Sequence, residues 1–237
     1  MPHRSDRAYY DERWSQAPLD LNSDQILRLG KILCAYAEIS YRFRDQKPSI
    51  CDLGCGTGWL SNELSKFGSV VGIDRSSKGI ELAAARHPHV RFICADALTF
   101  ATEERFDVVV SSEILEHIED QAAYLAKASH LIQPRGFLIL TCPNGNAWPI
   151  ASPLSELQPV ERWPTPRRLR TLLDHGFDVL THETFLTGYS QKGVLRWANS
   201  RRIFHAARAL RLEHVARGFL EQFEMGLYQI VLARKKS

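Results

Sequence analysis

No run of apolar residues in this chain approaches the roughly 18 that a membrane-crossing helix needs. The first residues are polar and of mixed charge, without the apolar stretch of a secretory signal. These absences predict a cytoplasmic protein. Nor is there a C-x-x-C pair. The five cysteines, an odd number, stand at positions 34, 51, 55, 94 and 142, several of them inside apolar runs. They read as small core residues, not as a disulfide framework or a zinc site. No internal repeat and no low-complexity tract is present, which removes solenoids and long linkers. An excess of one charge is also missing, since the net charge is only +3. A nucleic-acid partner is therefore not expected from the overall balance.

What is present is ordinary for a folded chain. Its 237 residues are 44% hydrophobic and 24% charged, enough for one large α/β domain or for a domain with an appended cap. The informative stretch is Ser49-Ile-Cys-Asp-Leu-Gly-Cys-Gly-Thr-Gly58, an apolar strand running into three glycines and then into a segment of helical periodicity. Glycines at 54, 56 and 58 allow backbone geometry and close approach that a Cβ would block. A phosphate-cradling loop would need a lysine after the glycines, and none follows. A dinucleotide fingerprint would put its third glycine at 59, where the chain has Trp59. Two more apolar segments end in carboxylates at Asp74 and Asp96, each 22 residues after the last. In a Rossmann-like unit an acid at the place of Asp74 accepts hydrogen bonds from ribose hydroxyls. Capping of the following helices is the alternative for both acids.

The run Asp52-Leu-Gly54-Cys-Gly56-Thr-Gly58 resembles the D/E-x-G-x-G-x-G loop of the class I S-adenosylmethionine-dependent methyltransferases. The resemblance covers residues 48–142 strongly and 164–187 and 226–234 more weakly. It implies S-adenosylmethionine as cofactor, with Asp52, Gly54, Cys55, Gly56 and Gly58 at its amino-acid end. Asp74 with Arg75 would lie at the ribose, Asp96 and Ala97 at the adenine, and Ser112 close by.

The same periodicities predict the architecture. Strands fall near 49–53, 69–73, 90–95, 106–110 and 136–142, alternating with helices near 58–67, 77–86 and 120–132; a further helix at 164–175 precedes strands at 177–185 and 226–234. The continuous apolar runs suit strands covered on both faces. The expected fold is a doubly wound, Rossmann-like α/β domain with a seven-stranded, mostly parallel sheet, an antiparallel last strand and helical cap elements. Residues 1–47 are expected to form an N-terminal helical lid, with a helix at about 22–37 capped near Asn22 or Ser23. Residues 48–190 and 225–237 form the cofactor-binding core, and 191–224 a basic helical insertion. Tyr10 and Trp14 stand as lid residues at the substrate, or as residues that pack the helix on the domain. Pro134-Arg-Gly136 reads as a turn, with Arg135 where the family commonly has glycine. Asn144 and the long loop at 147–163 are assigned to the substrate side.

Ser111-Ser-Glu-Ile-Leu-Glu-His117 lies at the end of the fourth strand. On a helical turn Glu113, Glu116 and His117 would share one face. The run is similar to the E-x-x-E-H of the ubiquinone-biosynthesis O-methyltransferases and of small-RNA terminal 2′-O-methyltransferases, where matching residues serve a divalent metal. Those families add a histidine after the fifth strand. This chain has none there unless Glu161 substitutes, so no metal is assigned to Glu113, Glu116 and His117; His117 is taken as a base or substrate-orienting group, the alternative being a structural turn packed under the site. The expected activity is methyl transfer to a small molecule, at oxygen before nitrogen or carbon. The arginines of 191–217 leave open an anionic, lipid-linked, glycan-linked or nucleic-acid acceptor, a peripheral membrane contact, or a merely solvated face. A non-catalytic cofactor-binding regulator is the rival from outside enzymology.

Overall fold

A computed structural model describes residues 6–15, 21–44, 46–147, 160–185, 224 and 226–236. The basic insertion at 191–224 lies outside the described residues except for Glu224, as does 148–159 of the long loop.

Helices α1 (Asp6–Ser15) and α2 (Ser23–Ser40) precede the first strand. Strand and helix then alternate as β1 (Ser49–Leu53), α3 (Trp59–Leu64), β2 (Ser69–Asp74), α4 (Ser77–Arg86), β3 (Arg91–Cys94) and β4 (Phe106–Ser112). A 3-10 turn at Leu115–His117 leads to α5 (Gln121–Leu131), β5 (Ile132–Pro143), α6 (Pro166–Leu173), β6 (Phe177–Phe185) and β7 (Tyr228–Lys235). The seven strands form one sheet in the order β3-β2-β1-β4-β5-β7-β6. Pairings from β3 through β5 are parallel, and β7 runs antiparallel to both its neighbours. The expected fold class is the observed one. Because the order reverses between β1 and β4, their carboxyl ends splay the flanking connections apart and leave a crevice for a ligand.

Side chains of successive strand residues point to opposite faces, which is why the apolar runs are continuous. Ile50, Val108, Val110 and Ile139 pack with Ile32, Ala35, Tyr36 and Ile39 of α2 and with Leu60 and Leu64 of α3. Cys51, Val109, Leu138 and Leu140 pack on the other face with Tyr124, Leu125 and Ala128 of α5 and with Leu169 and Leu173 of α6. The α2 set recurs at helical spacing, and the helix begins at a capping box between Asn22 and Gln25, as its sequence predicts. Cys51, Cys55 and Cys142 are buried free thiols, and burial pushes each of them well above the usual thiol range.

Several boundaries shift by a few residues, and two of the differences have a local cause. The turn at 134–136 does not precede β5 but is absorbed into it, as a register irregularity opposite Phe106 and Val108, with Arg135 in the left-handed region at φ 66. The helix expected to start at Pro164 starts at Pro166, because the Thr165 side chain accepts from the Arg168 amide and caps it there.

Candidate active site

Gly54 and Cys55 donate their amides to the Ile73 carbonyl at 2.7 and 3.0 Å, tying the glycine loop to the end of β2. Gly56 donates to Asp74 Oδ2 and Ser76 to Asp74 Oδ1, both at 2.8 Å. Asp74 is thus the stitch between the loop and the start of α4, and the cap of that helix is Ser76. The capping alternative for Asp74 is set aside. For Asp96 it holds in part, since Oδ1 accepts from the Leu98 amide at 2.8 Å in a one-turn cap. Asp52 is buried and accepts from Ser61 Oγ at 2.6 Å; burial pushes its carboxyl up to about 7. Burial raises Asp74 as well.

Gly54 and Gly56 take φ +88 and +53, and a Cβ on the first would overlap Ile114. Gly58, at φ +78, is different. Its Cβ space is filled by Phe92 and Ala83 behind the loop, and it does not line the crevice. The structure therefore moves Gly58 from ligand contact to helix–strand packing.

The crevice is a cavity of about 530 Å³. It is lined by Asp52, Gly54, Cys55 and Gly56, by Asp74, Arg75, Asp96 and Ala97, and by Ser112 and His117. Tyr10 and Trp14 close it from α1. Tyr10 lies under the Arg75 guanidinium, 5.7 Å from ring to carbon, and its ring is 6.4 Å from His117. Trp14, assigned from sequence to the substrate, rests instead on the glycine loop, where a Cβ on Gly56 would come within 2.8 Å of its ring. Asp11 latches α1 to the start of α4 by accepting from Ser76 Oγ at 2.6 Å and from the Lys78 amide at 3.1 Å.

Asn144 is a correction. It is fully buried and donates through Nδ2 to the Glu224 and Gly226 carbonyls, while its Oδ1 accepts from the Asn146 amide. Its side chain is consumed in joining β5 to the approach of β7 and does not line the cavity.

The helical face expected for Glu113, Glu116 and His117 does not form either. Glu113 adopts φ +59 and turns away to Arg28 of α2, 3.0 Å from Nη1, while accepting from Thr141 Oγ1. Thr141 Oγ1 also meets Ser112 Oγ at 2.9 Å. Glu116 is buried, and burial pushes its carboxyl well above the usual carboxylate range, which favours its neutral form. Among the described residues no three His, Cys, Asp or Glu side chains are arranged to hold a metal ion. His117 Nδ1 lies 3.1 Å from the Val160 carbonyl, which fixes the proton on that nitrogen and leaves Nε2 as the lone pair. Burial lowers the His117 pKa below its ordinary value, so the ring is neutral at pH 7.

Residues 44–165 match the family model described as a methyltransferase domain. The chain belongs to that family. A ubiquinone biosynthesis O-methyltransferase from Rhodopseudomonas palustris (strain HaA2) is 30% identical over 56% of this chain and 58% of its own length. The chain thus spans a little over half of that curated relative. The N-methyltransferase NodS from Bradyrhizobium japonicum WM9, solved with S-adenosyl-L-homocysteine, aligns over 97% of both chains at 16% identity and TM-score 0.63. Magnesium protoporphyrin IX methyltransferase from Synechocystis PCC 6803, solved with S-adenosylmethionine, covers all of both chains at 18% identity and TM-score 0.59. At such identities the two structures speak for the fold.

The methyltransferase family implies S-adenosylmethionine, and the residues fit it. Two positive-φ glycines, Gly54 and Gly56, bring backbone to the cavity wall, and carboxylates lie at three neighbouring strand ends. Trp14 Nε1 and Arg28 Nε are buried donors without a hydrogen-bond partner among the described residues, and both residues line the cavity. Such donors are costly unless a ligand supplies acceptors. Sequence reasoning missed Arg28, Asp24 and Tyr228, and it placed Glu161 and Trp163 only through the 147–163 loop, Glu161 as a stand-in metal ligand; all five line the same cavity. None carries a local signal. Only the packing of α2 across the sheet and the return of 160–163 to the β4 turn bring them in.

Proposed function

We propose that this methyltransferase moves the methyl group of S-adenosylmethionine to an oxygen of a small-molecule acceptor, with His117 taking the acceptor's proton. The observation that carries this is a half-buried imidazole whose Nδ1 is committed to a backbone carbonyl and whose pKa burial lowers, in a cavity shared with the glycine loop. A base in that state presents one lone pair and needs only to come within about 2.6–3.2 Å of the hydroxyl.

The cofactor, when bound, supplies a methyl carbon on a positively charged sulfur, open to attack by an oxygen lone pair. The protein's part is holding and drying. Asp52 and the Gly54–Gly56 turn lie at the amino-acid end, Arg28 offers a cation for its carboxylate, and Asp74 and Asp96 offer acceptors for ribose and adenine. Residues 1–47 act as a lid, in which Tyr10 and Trp14 exclude water from the reacting centre. The O-methyltransferase relative supports oxygen, and so does a neutral base, since a neutral amine would need none.

The rival reading, an anionic or nucleic-acid acceptor, rests on arginines outside the described residues. The described cavity carries Asp24 and Glu161 together with Arg13, Arg28 and Arg75, so its lining does not single out an anionic acceptor. The test is incubation with S-adenosylmethionine and panels of phenols, alcohols, amines and acidic glycolipids, read by product mass. Methylated phenols or alcohols, lost in His117→Ala, support the reading. Products confined to amines, or turnover unaffected by His117→Ala, would refute it. No helix among the described residues is long and apolar enough to cross a membrane.

A further inference from the structure

The proposed reaction leaves a half-buried carboxylate beside the base, on the Nδ1 side of the ring, without a task. Glu161 follows Val160, whose carbonyl meets His117 Nδ1, and its own Oε1 is 3.8 Å from that nitrogen. Its side chain is 15% exposed, and Oε2 accepts from the Trp163 indole at 2.6 Å. The segment that carries these groups is fixed to the turn that carries the histidine. Arg162 donates its amide to the Glu116 carbonyl at 2.7 Å, and Gln121 Nε2 bridges the Arg162 and Leu115 carbonyls at 2.7 and 3.0 Å. Gln229 of β7 holds the next residue by donating to the Pro164 carbonyl at 2.8 Å. A 160–163 strap thus grips the ring from the side opposite Nε2.

Among the described residues, four charged or titratable neighbours face His117. Glu116 comes from its own turn, at 3.6 Å from Nε2, and Glu161 comes from the strap. Arg13 and Tyr10 approach from α1. Burial favours the neutral form of Glu116 and Arg13 opposes a proton on the ring, while the Val160 carbonyl and, after it, the Glu161 carboxylate favour the imidazolium.

We infer that Glu161 is the positioning residue for His117, fixing the ring with Val160 and supplying the negative charge that stabilises the imidazolium formed when the acceptor's proton arrives at Nε2. This rests on the reading of His117 as the base. The logic is that of a carboxylate behind a catalytic imidazole, with the carboxylate delivered by a strap distant in sequence. The proton leaves the acceptor hydroxyl, resides on Nε2 and returns to water after product departure.

The test uses the full chain with its histidine rings isotope-labelled and followed by NMR across pH, in wild type, Glu161→Gln and Trp163→Phe, the His117 signal being assigned by its loss in His117→Gln. In Glu161→Gln the His117 midpoint moves to lower pH while the other histidines hold still. In Trp163→Phe, which frees the carboxylate from its anchor, the shift is in the same direction and smaller. With an acceptor in hand, kcat of Glu161→Gln falls roughly tenfold, its acid limb follows the NMR midpoint, and KM for S-adenosylmethionine is unchanged. Glu161→Asp recovers part of kcat. A His117 midpoint that is the same in wild type and both variants would overturn the inference. The titration needs no substrate, so it fails or succeeds independently of the methyl-transfer reading, which His117→Ala turnover decides.

Discussion

The two halves of the cavity are built in contrasting ways. The cofactor half is local: Asp52, the glycine loop, Asp74, Asp96 and Ala97 all come from one stretch of alternating strand and helix, held by backbone bonds from Gly54, Cys55 and Gly56 to Ile73 and Asp74. The acceptor half is assembled from pieces remote in sequence: α1, α2, the 112–117 turn, the 160–163 strap and Tyr228. A chain can conserve the geometry of the first half by keeping a motif, and can change the second by altering any one of its pieces. The first half speaks for the cofactor, and the second holds what is particular to this protein.

Breaking the acceptor half at its centre is expected to have the largest effect. His117→Ala lowers kcat by roughly 10²- to 10⁴-fold while leaving the affinity for S-adenosylmethionine within about twofold, because the base does not belong to the cofactor half. Single-turnover rates beside equilibrium binding check this. Equal losses in rate and affinity would erase the division between the halves.

Asp52→Asn addresses the cofactor half and its pH dependence. The free protein holds the Asp52 carboxyl at about 7, so binding a cationic amino group must first displace a proton at lower pH. Affinity for S-adenosylmethionine in the wild type therefore falls from about pH 7.5 to about pH 5.5, approaching roughly tenfold per unit, and levels above 7. The asparagine variant binds roughly tenfold more weakly at pH 7.5 and loses that slope. The linkage has a second consequence. A carboxyl whose folded pKa is raised binds its proton more tightly folded than unfolded, so stability rises as pH falls from 7 toward 4 and is lost as pH rises through 7. Asp52→Asn is therefore expected to melt higher than wild type at about pH 8 and to show little difference near pH 5, in calorimetric scans.

A smaller effect sharpens the boundary. Trp14→Phe keeps the ring on Gly56 and removes only the orphaned Nε1 donor, so cofactor affinity drops roughly fivefold, the worth of about one hydrogen bond. If acceptor KM moved and cofactor affinity did not, Trp14 would belong to the other half after all. The smallest change lies outside both halves. Arg135→Gly relieves a left-handed, exposed residue and is expected to raise stability by about 0.5–1 kcal/mol with activity unchanged.

What the sequence shows follows the same division. The strand–helix alternation, the three carboxylates and the glycine loop could be read from Asp52 to Ala97 because spacing and glycines encode them locally. The limits appear where tertiary context decides. Gly58 shares the motif's spacing but serves Phe92 and Ala83; Asn144 looks like a polar residue at a strand end but is spent on the Glu224 and Gly226 carbonyls. Helical spacing predicted a common face for Glu113 and His117, and the pull of Arg28 on Glu113 removed it. Arg28 itself looks like one more charged residue on an amphipathic helix until α2 is laid across the sheet.

The most direct measurement is a calorimetric titration of the full chain with S-adenosylmethionine and S-adenosyl-L-homocysteine, with and without EDTA. The account predicts one saturable site per chain, of micromolar order, indifferent to EDTA, and lost when Gly54 is replaced by valine in a chain that still folds. No saturable binding, or binding that EDTA abolishes, would contradict it.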